Sequence, residues 1–158
     1  VPGDEAEAGD QLPGDPDASG GRRPDPRVVL AVAAGGALGA PARYAVAEAV
    51  GVGANGFPWA TFWTNVSGSL LLGFLVALIV RRFPPSRYLR PFAATGFVGA
   101  FTTFSTLMVE TDLLVDHGHA ATAVAYVTAS LVAGIAAVWL GILGGRLVPI
   151  RSRPEAQP

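Results

Sequence analysis

"GFVGAFTTFST", Gly96 to Thr106, puts two glycines, four Thr or Ser hydroxyls and three phenylalanines inside what otherwise reads as a membrane-crossing segment. Glycine costs about 1 kcal/mol relative to alanine in a helix interior, and threonine is only a middling helix former. The two glycines around Phe97 and Val98, followed by Thr102, Thr103, Ser105 and Thr106, therefore predict a transmembrane helix broken near its middle. Unwound backbone at that depth is tolerated only where it is buried in protein or lines a polar cavity. Its freed carbonyls suit a cation, and the flanking helix ends bias nearby ions, so the break reads as an ion site.

The rest of the chain sets the solvent around that stretch. Of 158 residues, 51% are apolar, the mean hydropathy is +0.43, and long runs carry no charge at all. This is the composition of a membrane protein. With no cysteine, a disulfide framework, a thiolate metal site and a cysteine nucleophile are all excluded. The two histidines, His117 and His119, share one short loop and read as a polar turn, because no third ligand stands at metal-site spacing from them.

Four apolar stretches, Val28 to Val50, Ala60 to Val80, Arg90 to Leu114 and His119 to Leu143, each approach the ~20 residues needed to cross ~30 Å of hydrocarbon as a helix. The fold class is an all-α membrane protein of four transmembrane helices over residues 28–147, the third of them broken. Residues 1–27, rich in Pro, Gly, Asp and Glu, read as a disordered acidic tail without the apolar middle of a secretory signal, and residues 148–158 as a second tail. Short connections make neighbouring helices antiparallel and leave no room for a soluble domain.

Every basic residue is an arginine, 11 in all. Arg22, Arg23, Arg27, Arg81, Arg82, Arg87, Arg90, Arg146, Arg151 and Arg153 fall in the N-terminal tail, the second loop and the C-terminal end, which share one side of a four-span topology. The other two loops hold none, so the positive-inside rule puts both termini in the cytoplasm. The remaining arginine, Arg43, lies within the first span towards its outer end. It is read first as an anchor or a structural ion pair with Glu48 or Glu110, and second as a group that meets a substrate.

Neutral polar residues mark the other spans. Asn65, Ser67 and Ser69 lie on the second helix, and Thr122, Tyr126, Ser130 and Gly134 recur at steps of four on one face of the fourth. Such a stripe on one helix alone reads first as interhelical hydrogen bonding; the glycine pairs Gly35 with Gly39 and Gly141 with Gly145, like Ser69 with Gly73, read as close helix packing.

"GGALGAPARY", "WTNVSGSLLLG" and "GFVGAFTTFSTLMVE" occur in that order, each at its place in a helix. Together they resemble the Fluc (CrcB) family of bacterial fluoride channels over essentially Val28 to Arg146. The resemblance implies an antiparallel dimer with two narrow fluoride pores and a structural sodium ion at the dimer centre. The sodium would be held by backbone carbonyls, here Gly99 and Thr102. It puts the pore asparagine on Asn65, a pore phenylalanine on Phe104, and the polar track on Ser105, Thr106, Tyr126 and Ser130. Arg43 and Glu110 match charges carried near the pore mouth. The function implied is passive, fluoride-specific export across the cytoplasmic membrane, without enzymatic activity or a nucleic-acid partner. Neutral donors suit it, because they replace a small anion's water stepwise without trapping the ion.

Two departures stand out. The family's second pore phenylalanine is here Leu107, an aliphatic side chain without an electropositive ring edge. The arginine asymmetry also favours a single insertion orientation, and hence pairing with a paralogous partner of opposite bias rather than a homodimer. The alternatives are a small proton-coupled multidrug exporter, which needs a buried carboxylate in the first helix where only Glu48 stands near its end, and a structural membrane subunit without conduction.

Overall fold

Asp25 ends the N-terminal segment by accepting the Arg27 N–H on Oδ1 at 3.0 Å, while its carbonyl accepts from Val28 and Val29 at 2.9 and 3.1 Å. With this cap and Pro26 at the first helical position, α1 runs Pro26–Val50, two residues longer than the hydropathy alone indicates. The computed structural model describes residues 25–50, 56–82 and 87–148, with the side chain of Arg82 left aside. Both tails expected from the sequence lie almost wholly outside these residues.

The second helix, α2, covers Trp59–Arg82. The third span comes in pieces: a π-helical segment Pro91–Val98 (π1), one α-helical turn Gly99–Phe101 (α3), an extended stretch, and α4, Ser105–Asp116. A tight turn at His117 to His119, with Gly118 at φ +80, reverses the chain into α5, Ala120–Leu147. The four spans are of membrane-crossing length and composition.

The glycines of the third span are not where it unwinds. Gly99 donates its N–H to Ala94 five residues back, the widened turn of a π-helix, and the coil continues to Phe101. Gly96 instead serves close approach: a Cβ there would fall 3.0 Å from the Gly35 Cα. The chain leaves the helix only at Thr102, whose ψ is 158.

Packing follows the small residues. Between apolar helices in lipid no hydrophobic force operates, so contact depends on how closely backbones approach. Gly35 and Gly39 seat α1 against π1, while Gly73, Gly141 and Gly145 let α2 and α5 touch backbone to backbone. A Cβ on Gly141 would stand 2.8 Å from the Phe74 nitrogen. Towards the end of the bundle that carries the α4–α5 turn, Phe62, Leu107, Leu114, Ala123 and Tyr126 form a buried cluster, with the Phe57 ring edge-on to Tyr126 at 5.2 Å. At the opposite end Arg87 pairs with Asp25 at 3.4 Å, and Arg81 donates to the carbonyl of Arg146 at the end of α5. These contacts bring the start of α1, the second loop and the end of α5 to one side.

Candidate functional site

The break is held by a side chain from another helix. Asn65 of α2 donates Nδ2–H to the carbonyl of Thr103 at 2.9 Å and accepts the Thr103 N–H on Oδ1 at 2.8 Å. An amide presents a donor and an acceptor side by side, as the backbone does, so it satisfies both groups of the unwound residue at once. The hydrogen bonding of Thr103 and Thr106 departs from the helical pattern. Thr102 keeps its helical bond to Val98 and adds a second from its hydroxyl, both at 2.9 Å. Thr103 Oγ1 accepts the Thr106 N–H at 3.2 Å and donates to the Thr106 hydroxyl at 3.0 Å. It therefore caps the N-terminus of α4.

This rewiring has a consequence for two carbonyls. In a continuous helix Gly99 O accepts from Thr103 N and Thr102 O from Thr106 N, four residues on. Here those N–H groups go to Asn65 Oδ1 and Thr103 Oγ1. Gly99 and Thr102 thus present oxygens deprived of their helical donors, Gly99 on the exposed side of the subunit.

Two cavities flank the break, and another lies apart from it. One of about 590 Å³ is lined by Asn65, Ser69, Thr103, Phe104, Leu107 and Ser130, among apolar residues of α5. A smaller one of about 270 Å³ is lined by Arg43, Tyr44, Thr61, Thr64, Thr103 and Thr106. Thr103 lines both. A third, of about 680 Å³, lies near the α4–α5 turn against Glu48, Phe57, Glu110, His117 and His119.

Of the residues singled out in the sequence, Asn65, Phe104 and Ser130 meet at the first cavity and Arg43 and Thr106 at the second. Phe104 is 73% exposed and projects from the subunit. The Ser130 hydroxyl is buried and has no hydrogen-bond partner among the described residues. Ser105 is exposed, within 3.3 Å of Thr103 Oγ1. Tyr126 stands apart: it is wholly buried, and its hydroxyl donates to Glu110 Oε2 at 2.7 Å instead of facing a cavity.

Glu110 does not pair with Arg43. Its other oxygen accepts from Thr61 Oγ1 at 2.9 Å, so two neutral donors on α2 and α5 occupy the carboxylate. Among the described residues Arg43 has no ion-pair partner, and Glu48 is exposed. Within the described residues the pairing of Arg43 with Glu48 or Glu110 is not formed, and Arg43 lines the smaller cavity beside Thr61, Thr64, Thr103 and Thr106. Leu107 is 7% exposed and packs within the subunit core. Thr61 and the capping role of Thr103 were missed by sequence reasoning. The pattern holds a threonine one turn before Asn65, but nothing in it tells which helix Thr61 faces.

Four spans whose polar groups converge on a clasped, unwound segment at mid-membrane define an integral membrane protein built around a broken transmembrane helix. The chain belongs to the family described as CrcB-like protein, Camphor Resistance (CrcB), which it matches over residues 30–142. It is 51% identical over 124 residues to "Fluoride-specific ion channel FluC 3" of Streptomyces avermitilis, covering 78% of this chain and 61% of that protein. From the same organism, "Fluoride-specific ion channel FluC 2" is 48% identical over 104 residues, 66% of each chain. "Fluoride-specific ion channel FluC 1" of Mycobacterium bovis is 43% identical over 127 residues, 80% of this chain and 96% of its own length. The chain thus spans about two thirds or less of these two Streptomyces avermitilis relatives and nearly all of the mycobacterial one.

Proposed function

We infer that this chain is a subunit of a passive, fluoride-specific channel that lowers cytoplasmic fluoride, with no catalytic step. The observation that carries this reading is the Ser130 hydroxyl, buried without a partner in the wall of a cavity shared with Asn65 and Phe104. An unmet donor in an apolar setting costs free energy unless something fills it. A small, strongly hydrated anion that accepts hydrogen bonds is a suitable guest. Ser130, Ser105, Thr106 and the second N–H of the Asn65 amide replace its water in steps, and the Phe104 ring edge adds a weak positive face. None of these groups carries a full charge that would hold the ion. Arg43, unpaired above the hydroxyls of the smaller cavity, raises the local anion concentration. Tyr126 contributes through Glu110, whose carboxylate it keeps fixed.

The channel is formed by two antiparallel subunits. The exposure of Phe104 and the open first cavity support a wall supplied by a second chain. The ten-to-none arginine distribution favours one orientation with cytoplasmic termini, and so a paralogous partner of opposite bias. The occurrence of FluC 2 and FluC 3 in one organism is in keeping with such pairing. The oxygens of Gly99 and Thr102, having lost their helical donors, are the right chemistry for sodium, a hard cation that takes oxygen ligands. Bound there, the ion would neutralise exposed carbonyls and hold two breaks together.

The test is fluoride efflux from liposomes holding this chain alone, then with its paralogue, with Asn65→Ala and Phe104→Ala as controls. Efflux that needs the partner and falls in both variants is expected. Full efflux from the single chain would replace the heterodimer by a dual-topology homodimer, and no efflux in either case would defeat the channel reading.

A further inference from the structure

One end of the bundle carries Arg27, Arg81, Arg87, Arg90 and Arg146, all exposed. Among the described residues these five have one carboxylate partner, Asp25, which meets Arg87 at 3.4 Å although that side chain is still 69% exposed. Arg81 turns to the carbonyl of Arg146, which caps the end of α5 but leaves the surface strongly cationic. N-terminal to Asp25 the chain bears Asp4, Glu5, Glu7, Asp10, Asp15 and Asp17, against only Arg22 and Arg23, which lie between these acids and Asp25.

We propose that this arginine-rich end is a docking surface for the chain's own acidic segment, residues 4–17. The Asp25–Arg87 pair seats the chain on that surface eight positions after Asp17, so the acids before it are tethered close by. Asp17 lies eight positions before Asp25, a reach of up to about 27 Å at ~3.4 Å per residue. Helices are about 10 Å across with their side chains, so this reach covers the end of a four-helix bundle. Tethering sets an effective concentration in the millimolar range without any new contact, which favours the segment over a free anion. The contact is electrostatic and lacks a fixed geometry, so it weakens as the screening length falls from ~10 Å at 0.1 M salt to ~3 Å at 1 M. Docked, the segment covers the cationic surface that otherwise gathers anions at this end of the protein.

Because the chain has no cysteine, paired spin labels can be placed uniquely, at Leu12→Cys and at Tyr88→Cys beside Arg87. Pulsed dipolar spectroscopy is run on the full chain in liposomes, with labelled chains diluted in unlabelled ones, so that the readout is independent of conduction. In neutral lipid at low salt a short, narrow distance distribution is expected. It should broaden at 1 M salt and disappear when Asp4, Glu5, Glu7, Asp10, Asp15 and Asp17 are replaced together by Asn or Gln. A distribution that is broad from the start, or indifferent to that neutralisation, overturns the proposal. A short distance lost on adding anionic lipid also overturns it, assigning the surface to lipid headgroups.

Discussion

The side chain of Asn65 and the backbone of Thr103, 38 residues further along the chain, hold one another through two hydrogen bonds of 2.9 and 2.8 Å. One amide thereby satisfies both backbone groups of an unwound residue. It also diverts the Thr103 N–H from Gly99, so the same contact stabilises the break and frees a carbonyl. Removal of this amide leaves both groups of Thr103 without partners. Asn65→Ala should cost about 2 kcal/mol or more in resistance to denaturation. Asn65→Asp, which sets an acceptor against the Thr103 carbonyl, should be at least as damaging, and a detergent unfolding series compares the two directly.

Ser130 and Tyr126 lie one turn apart on α5 and should behave in opposite ways. The Ser130 hydroxyl has no partner among the described residues, so Ser130→Ala should change stability by no more than about 0.5 kcal/mol while reducing fluoride efflux. Tyr126→Phe takes a donor from Glu110 and should destabilise by roughly 1–3 kcal/mol. Equal stability losses in the two variants would contradict the assignment of Ser130 to a guest.

Gly141 and Gly144 form a matched pair for the packing of α2 on α5. A Cβ at Gly141 runs into the backbone of Leu70 and Phe74, whereas at Gly144 it meets only the Phe74 ring at an ordinary 3.8 Å. Gly141→Ala should therefore cost about 1–3 kcal/mol through overpacking, and Gly144→Ala almost nothing. Thermal aggregation of the purified variants measures the difference.

Leu107 fills a core position, in contact with the cluster that includes Phe62 and Tyr126. Substitution by the family's phenylalanine is expected to overpack that core and lower stability by roughly 1–3 kcal/mol. A Leu107→Phe variant that is more stable and more conductive than the parent would show that the site has room for the ring.

Arg43 faces hydroxyls without an ion pair, so Arg43→Gln should leave stability within about 0.5 kcal/mol of the parent. If its charge gathers anions, the loss in fluoride efflux should be greatest at low ionic strength and shrink as salt screens the field. A salt-independent loss would point to direct contact instead.

The sequence by itself determined the environment and the number of spans, because hydrocarbon accepts only long apolar helices and excludes charge, and both show in composition. It also determined that the third span is interrupted, since Gly and Thr are poor material for a continuous helix. Tertiary structure decided where the interruption falls. Local propensity marked the whole stretch from Gly96 to Thr106, but π1 stays coiled where Gly96 contacts α1, and the chain opens at Thr102, next to the residue that Asn65 satisfies. Partner choice was likewise beyond the linear pattern. Glu110 had Arg43 as its obvious counter-charge, yet helix rotation turned it towards Thr61 and Tyr126, because which face of a helix meets which neighbour is fixed by where small residues allow backbones to approach.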